Sequence, residues 1–164
     1  VINPALVIGP SLSGKSTSGT HDIVRQLGDG SMKAGAPPFS LGVVDVRDVA
    51  DAHIRAAYIK KATGRYMVFN EAQSLLELAS LLKEKYGATY PLPSKELPKW
   101  LVWLVGPIVD KNLSRKMISL NMGHKYVGDN SKSIDKLGVN YSLLKASAEA
   151  MFQQMIDEGE FHKK

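Results

Sequence analysis

Val1-Ile-Asn-Pro-Ala-Leu-Val-Ile-Gly9-Pro10 opens the chain, and the architecture of the rest turns on what this stretch becomes. From Val1 to Ile8 the residues are nearly all apolar, several are β-branched, and Gly9-Pro10 closes the run with a turn. A short apolar run of this kind suits a strand buried on both faces of a parallel sheet. In open α/β sheets, ligands gather beyond the carboxyl ends of the strands. The residues just past Ile8 are therefore the first place to look for a site.

Two readings meet there. Gly9-Pro-Ser-Leu-Ser-Gly14-Lys15-Ser16 matches G-x-x-x-x-G-K-[ST], the loop whose amides cradle phosphates while its Lys and hydroxyl serve a nucleotide and Mg²⁺. Val43-Val44-Asp45 would then be the apolar strand that ends in a metal-facing carboxylate. That loop needs a helix starting at the Lys-Ser pair, with its positive end toward the phosphates. Here Ser16-Thr-Ser-Gly-Thr20 follows, all weak helix formers, and helical spacing of apolar residues begins at Ile23. A Ser/Gly loop accounts for Gly9 to Ser16 better than a nucleotide cradle does.

Composition narrows the classes. The 164 residues, 44% hydrophobic and 23% charged, are enough for one good core and are ordinary for a folded chain. The net charge of +5 favours an anionic cofactor or surface, but the basic residues are scattered without interleaved aromatics, so no nucleic-acid partner is expected. The absence of Cys excludes disulfides and thiolate chemistry. His21, His53, His124 and His162 are too far apart in sequence for a zinc pattern. Trp100 to Val105 is too short to span a bilayer and no targeting segment opens the chain, which agrees with a cytoplasmic protein.

Further along, Ile23, Val24 and Leu27 predict a helix stopped by Gly28-Asp-Gly30, and Phe39 to Val46 predicts a strand. A helix follows with Asp48 as its N-cap, then a second buried strand at Tyr66 to Phe69. Ser74 and Glu77 form a capping box for a helix that Gly87 ends. Leu97 to Val105 predicts a helix closed by Gly106-Pro107, with Trp100 and Trp103 as core or lid packing. Asp110 to Leu120 predicts another, with Leu113, Met117 and Leu120 inward, and His124 to Val127 a short strand. Asp129-Asn-Ser131 caps a brief helix ending at Leu137-Gly138. The last helix buries Leu144, Ala148, Met151, Phe152, Met155 and Ile156 and stops at Gly159, after which residues 160–164 should fray.

Four landmarks in order resemble those of the extended short-chain dehydrogenase/reductases. They are Asn3-Pro4-Ala-Leu-Val-Ile-Gly9-Pro10, Val44-Asp-Val-Arg-Asp-Val-Ala-Asp-Ala-His53, Gly64-Arg65-Tyr66, and Asp129-Asn-Ser-Lys-Ser-Ile-Asp-Lys-Leu-Gly138. The wording is most like the dihydroflavonol reductase, cinnamoyl-CoA reductase and NADPH-dependent aldehyde reductase branch. The family's glycine-rich dinucleotide turn and its catalytic Ser and Tyr-x-x-x-Lys lie upstream of the Asn-Pro strand, and no such stretch is found here. Tyr141-Ser-Leu-Leu-Lys145 spells the same pattern, but it sits near the other end of the chain with no strand after it. Tyr141 is read as a packing residue and Lys145 as a surface charge.

The resemblance implies an α/β fold: the C-terminal part of a Rossmann-like doubly wound parallel sheet, interleaved with a smaller α+β substrate-binding lobe. Residues 1–15 would be a Rossmann strand and its cofactor-facing turn, and 16–63 substrate-lobe helix, strand and helix. Residues 64–88 would return the last Rossmann strand and helix, and 89–164 complete the lobe. The implied activity is NAD(P)H-dependent reduction of an aldehyde or ketone by a longer reductase, of which this is the C-terminal half, inactive by itself. A non-catalytic, reductase-like structural subunit would look the same over these residues. By the same resemblance, Pro4, Ala5, Leu6 and Val7 meet the nicotinamide of NADP, or NAD, and Ser18 lies near its phosphates. Leu6, Leu41 and Gly42 face the small carbonyl substrate, no residue here is catalytic and none binds metal. The Asp45 to Asp48 segment would brace the cofactor half against the substrate half.

Overall fold

A computed structural model describes residues 1–12, 18–109 and 113–161. Its elements are β1 (Ile2–Pro4), β2 (Leu6–Ile8), α1 (Gly19–Gly28), β3 (Ser40–Asp45), α2 (Val46–Tyr58), β4 (Tyr66–Val68) and β5 (Glu71–Ser74). Then come α3 (Leu75–Tyr86), α4 (Lys99–Val109), α5 (Arg115–Asn121), α6 (Ser131–Leu137) and α7 (Leu144–Asp157). The chain is α/β, with β1 parallel to β4 in one sheet and β2 parallel to β3 in another, where β5 adds antiparallel to β3.

The opening run is therefore two short strands, not one buried on both faces. Pro4 has no N–H to continue a ladder, and the Ala5 N–H donates to the Val68 carbonyl at 3.1 Å. From Leu6 onward the partner is β3, with Leu6 opposite Val43 and Ile8 opposite Asp45. The backbone thus passes from one sheet to the other at Ala5. Ile8 is buried, while Asn3 and Pro4 are exposed.

Successive side chains of β3 point to opposite faces. Val43 enters a core with Ile8, Leu27, Leu78, Leu82, Phe152 and Met155. Val44 enters a second with Ala52, Tyr66, Val68, Leu137 and Val139. A third, small cluster joins Val102 of α4 to Ile118 and Met122.

Most helices form where apolar spacing places them, and the capping box of α3 is present in both directions, Ser74 to Glu77 and back. Asp48 is not the cap of α2. The chain runs from β3 straight into the helix, which makes Asp45 the N-cap, and its side chain accepts from the free first-turn amide of Arg47 at 2.6 Å. Helix α4 continues through Gly106-Pro107 to Val109. One proline near a helix end removes a single intrahelical bond, and the bare Gly106 lets Ile118 come close.

Helix α5 starts at Arg115, capped by Ser114, and turns Ile118 inward, leaving Leu120 65% exposed. Residues 124–127 form no strand, because the Tyr126 N–H donates to Ser40 Oγ rather than to a ladder. Trp100 and Trp103 lie on the surface rather than in a core. Residues 160 and 161 do not fray. Phe161 is 7% exposed and stacks on Phe152 with ring centroids 4.7 Å apart.

Candidate functional site

Beyond the carboxyl end of β2 lies a cavity of about 710 Å³. Its floor is Ala5 to Ile8, its near wall the turn at Gly9 to Leu12, and its far wall Met151, Gln154 and Met155 of α7. Ser18, Thr20 and His21 from the start of α1 close one side, and Val46 the other. The turn is tight: Gly9 has φ +128°, a conformation side chains rarely adopt, and a Cβ there would lie 2.8 Å from Val46 Cγ1.

Ser18 is the N-cap of α1, and its Oγ accepts from the His21 amide at 3.2 Å. The positive end of the helix dipole therefore faces this cavity, which suits an anion. Because α1 begins at Gly19, two residues separate it from Ser16, whereas a phosphate-cradling loop runs into its helix at the Lys-Ser pair. Lys15 and Ser16 themselves lie outside the described residues, as do Ser13, Gly14 and Thr17.

Of the residues singled out from sequence, Ala5, Leu6, Val7 and Ser18 all line this cavity. Pro4 is exposed at the end of β1 and is not in its wall. Leu41 packs partly buried against the main core. Gly42 is buried one strand away, where a Cβ would lie 2.7 Å from Tyr126 Cε1 and 3.1 Å from Ala5 Cβ. Neither Leu41 nor Gly42 reaches the cavity. A smaller cleft of about 400 Å³ opens beside them, lined by Pro38, Phe39, Ser40, Ser74, Glu77, His124 and Lys125 among others.

Sequence reasoning missed His21 and Gln154. His21 is buried, and its Nε2 lies 3.0 Å from Glu160 Oε1, which ties the start of α1 to the end of the chain. Gln154 accepts from the Ser11 N–H at 2.7 Å and donates to the Ser11 carbonyl at 2.9 Å, so its amide meets the turn as a neighbouring strand would. Both had a faint signal. Gln154 follows Met151 by three residues and His21 precedes Val24 by three, so each shares a helix face with a core residue.

The segment after β3 is held by two carboxylates. Burial raises the Asp45 pKa, and the opposing bonds from the Arg47 guanidinium, Ser147 and the Arg47 amide prevail, leaving it below its ordinary value. Arg47 closes a two-pronged ion pair, Nε at 2.8 Å and Nη2 at 2.6 Å. Asp48, 5% exposed, accepts from the Ser142 N–H at 2.8 Å and from its Oγ at 2.7 Å. One turn of chain therefore binds both α7's approach and the sheet.

Tyr141 and Lys145 do not form a helical pair, since α7 begins at Leu144. Burial pushes the Tyr141 phenol up, its bond with Ser133 at 2.7 Å only partly opposing this, which is the wrong direction for a proton donor activated by a cation. Lys145 instead pairs with Glu84. Among the described residues, no cluster of His, Asp or Glu could hold a metal, and no helix is long and apolar enough to cross a membrane.

No family model matches the chain. It is 36% identical to cinnamoyl-CoA reductase 1 from Arabidopsis thaliana over 95 residues, 58% of this chain and 27% of that protein. Tetraketide alpha-pyrone reductase 1 of the same plant is 28% identical over 160 residues, 95% of this chain and 40% of that protein. The matches thus span less than half the length of these curated relatives. Among solved structures, Gre2 from Candida albicans, determined with NADPH, superimposes at TM-score 0.62 and 23% identity, over 96% of this chain and 43% of its own. Vestitone reductase from alfalfa (Medicago sativa) gives TM-score 0.67 at 16% identity, over 96% and 44%. In sequence over part of its length, and in fold along nearly all of it, the chain resembles reductases of the extended short-chain dehydrogenase/reductase type.

Proposed function

We propose that this chain forms the C-terminal part of an NADPH-dependent reductase of aldehydes or ketones. The single observation that carries the reading is the cavity past the end of β2, which gathers Ala5, Leu6, Val7 and Ser18 at one place. Its geometry fits a dinucleotide. The strand tip offers backbone polar groups to a flat ring, the glycine at position 9 leaves room at the turn, and the α1 N-terminus favours a phosphate.

NADPH, when bound, supplies the hydride. In this reading Pro4, Ala5, Leu6 and Val7 hold one face of the nicotinamide toward the substrate, and Ser18 steadies the phosphates. Leu6, Leu41 and Gly42 shape the carbonyl pocket. Residues 1–15 and 64–88 serve the cofactor half, 16–63 and 89–164 the substrate lobe. In this reading the proton donor and the glycine-rich turn come from polypeptide outside these residues, since no glycine-rich dinucleotide turn occurs among them and Tyr141 and Lys145 do not share a helix. Orientation, not bond chemistry, is what this part contributes.

The test is to express these residues together with the sequence that precedes them in the gene and follow NADPH consumption with an aromatic aldehyde. Turnover that falls at least about tenfold in Ser18→Asp, through a higher KM for NADPH, supports the reading. NADPH binding without turnover on any carbonyl would point to a reductase-like structural subunit. Binding of MgATP that Lys15→Ala abolishes would replace the reading with a phosphate-loop protein.

A further inference from the structure

Helix α4 carries two apolar stripes and buries only one. Val102 and Gly106 turn toward Ile118. On the opposite side Trp100, Trp103, Leu104 and Ile108 repeat at helical spacing and are 67%, 39%, 51% and 83% exposed. Leu120 of α5, 65% exposed, adds a further large apolar side chain. Single exposed leucines are commonplace, but a row of this size on one helix marks a surface that meets something.

The charge around it says what. On α4 and α5 themselves the charged residues are Lys99, Arg115 and Lys116, with no carboxylate in either helix. Three cations and no carboxylate leave these two helices at +3, in a chain whose total is +5. The Arg115 guanidinium lies over the Trp103 ring at 4.8 Å, so cation and indole are already side by side. The stripe shares no residue with the cavity at β2.

We propose that the α4–α5 face docks on an anionic lipid surface, with α4 lying in the plane of the headgroups. Its apolar row would enter the acyl boundary, the two indoles would sit at headgroup depth, and the surrounding cations would meet acidic lipid. Eleven residues are too few to cross a bilayer, so the helix lies on it. A second copy of the chain fits less well, because it would bring one strongly positive patch against another. A soluble polyanion would use the cations and leave the tryptophans in water.

Trp100 and Trp103 are the only tryptophans in the chain, so intrinsic fluorescence reports on this patch alone. The experiment mixes the chain with phosphatidylcholine vesicles, with or without phosphatidylserine, and follows emission and flotation. A blue shift with co-flotation only when phosphatidylserine is present, reversed by about 0.5 M salt, is the expected result. A double variant Leu104→Ser with Ile108→Ser, and another Arg115→Glu with Lys116→Glu, should each weaken binding at least about tenfold. The salt reversal uses the unaltered chain, so it stands even where a variant misfolds. Equal binding to pure phosphatidylcholine, a blue shift that grows with protein concentration without vesicles, or no shift at all would overturn the proposal.

Discussion

Asp45 and Asp48 are one helical turn apart and take different partners, which makes them a fair test of how local sequence and tertiary contact divide the roles of one residue type. Asp48 accepts both the amide and the hydroxyl of Ser142, 94 residues away, from a buried position. Asp48→Ala should cost about 2 kcal/mol, since it removes two charged hydrogen bonds from a buried acceptor and leaves a part-buried amide without its partner. Urea unfolding of the pair would check this, and a midpoint within error of the unaltered chain would refute it. Asp45 lends itself to titration. Burial works against its charge, but the Arg47 and Ser147 bonds hold the folded-state pKa below the ordinary 3.8. A carboxylate depressed by folding adds stability that is complete above the unfolded value and lost as pH falls through the folded one. The stability gap between the chain and its Asp45→Asn variant should therefore be constant near neutrality and narrow once pH drops below about 3.8.

At the scale of elements, β3 and its neighbours decide how close the two sheets approach. Gly42 is the contact point, with the Tyr126 ring and Ala5 on it. Gly42→Ala should overpack this spot and cost roughly 1 to 3 kcal/mol. Adding Tyr126→Ala should recover part of that loss by giving the new methyl room, and a strictly additive double variant would count against the steric account. Elements were legible in sequence where the cause was local. Ser74 and Glu77 are three residues apart and cap α3 by themselves, and the spacing of Leu144, Ala148 and Phe152 alone turns α7 inward. They were misread where a distant partner intervened. Asp48 reads as a cap until Ser142 claims it, and the 124–127 segment reads as a strand until Ser40 takes the Tyr126 amide. The apolar opening run hides its handover at Ala5 because the strands on either side of it, β3 and β4, lie some forty to sixty residues downstream.

For the molecule as a whole, the last helix and the residues beyond it return to the opening turn. Phe161 stacks on Phe152 and touches Tyr90, and Glu160 meets His21. Phe161→Ala should therefore cost about 3 kcal/mol despite its place near the end of the described chain, as a buried ring would anywhere. Thermal unfolding measures it, and an unchanged Tm would show that the ring adds nothing.

The tie between Gln154 and Ser11 spans 143 residues, which is why no local pattern announces it. Its side-chain amide both accepts from and donates to one backbone unit, and a second bond from Nε2 to Glu158 at 2.8 Å fixes its orientation. The turn it holds forms the near wall of the cavity, so the rigidity of that wall depends on α7 rather than on the turn's own sequence. Gln154→Leu keeps the bulk and removes the pair of bonds, at about 1 kcal/mol each. Local opening should then become easier, and amide exchange within residues 9–12 should quicken by about tenfold or more while α3 is unaffected. Gln154→Glu keeps an acceptor for the Ser11 amide but loses the donor, so it should fall between the two. Equal protection in all three chains would mean that the turn is held by its other contacts, and the wall of the site would then not owe its rigidity to α7.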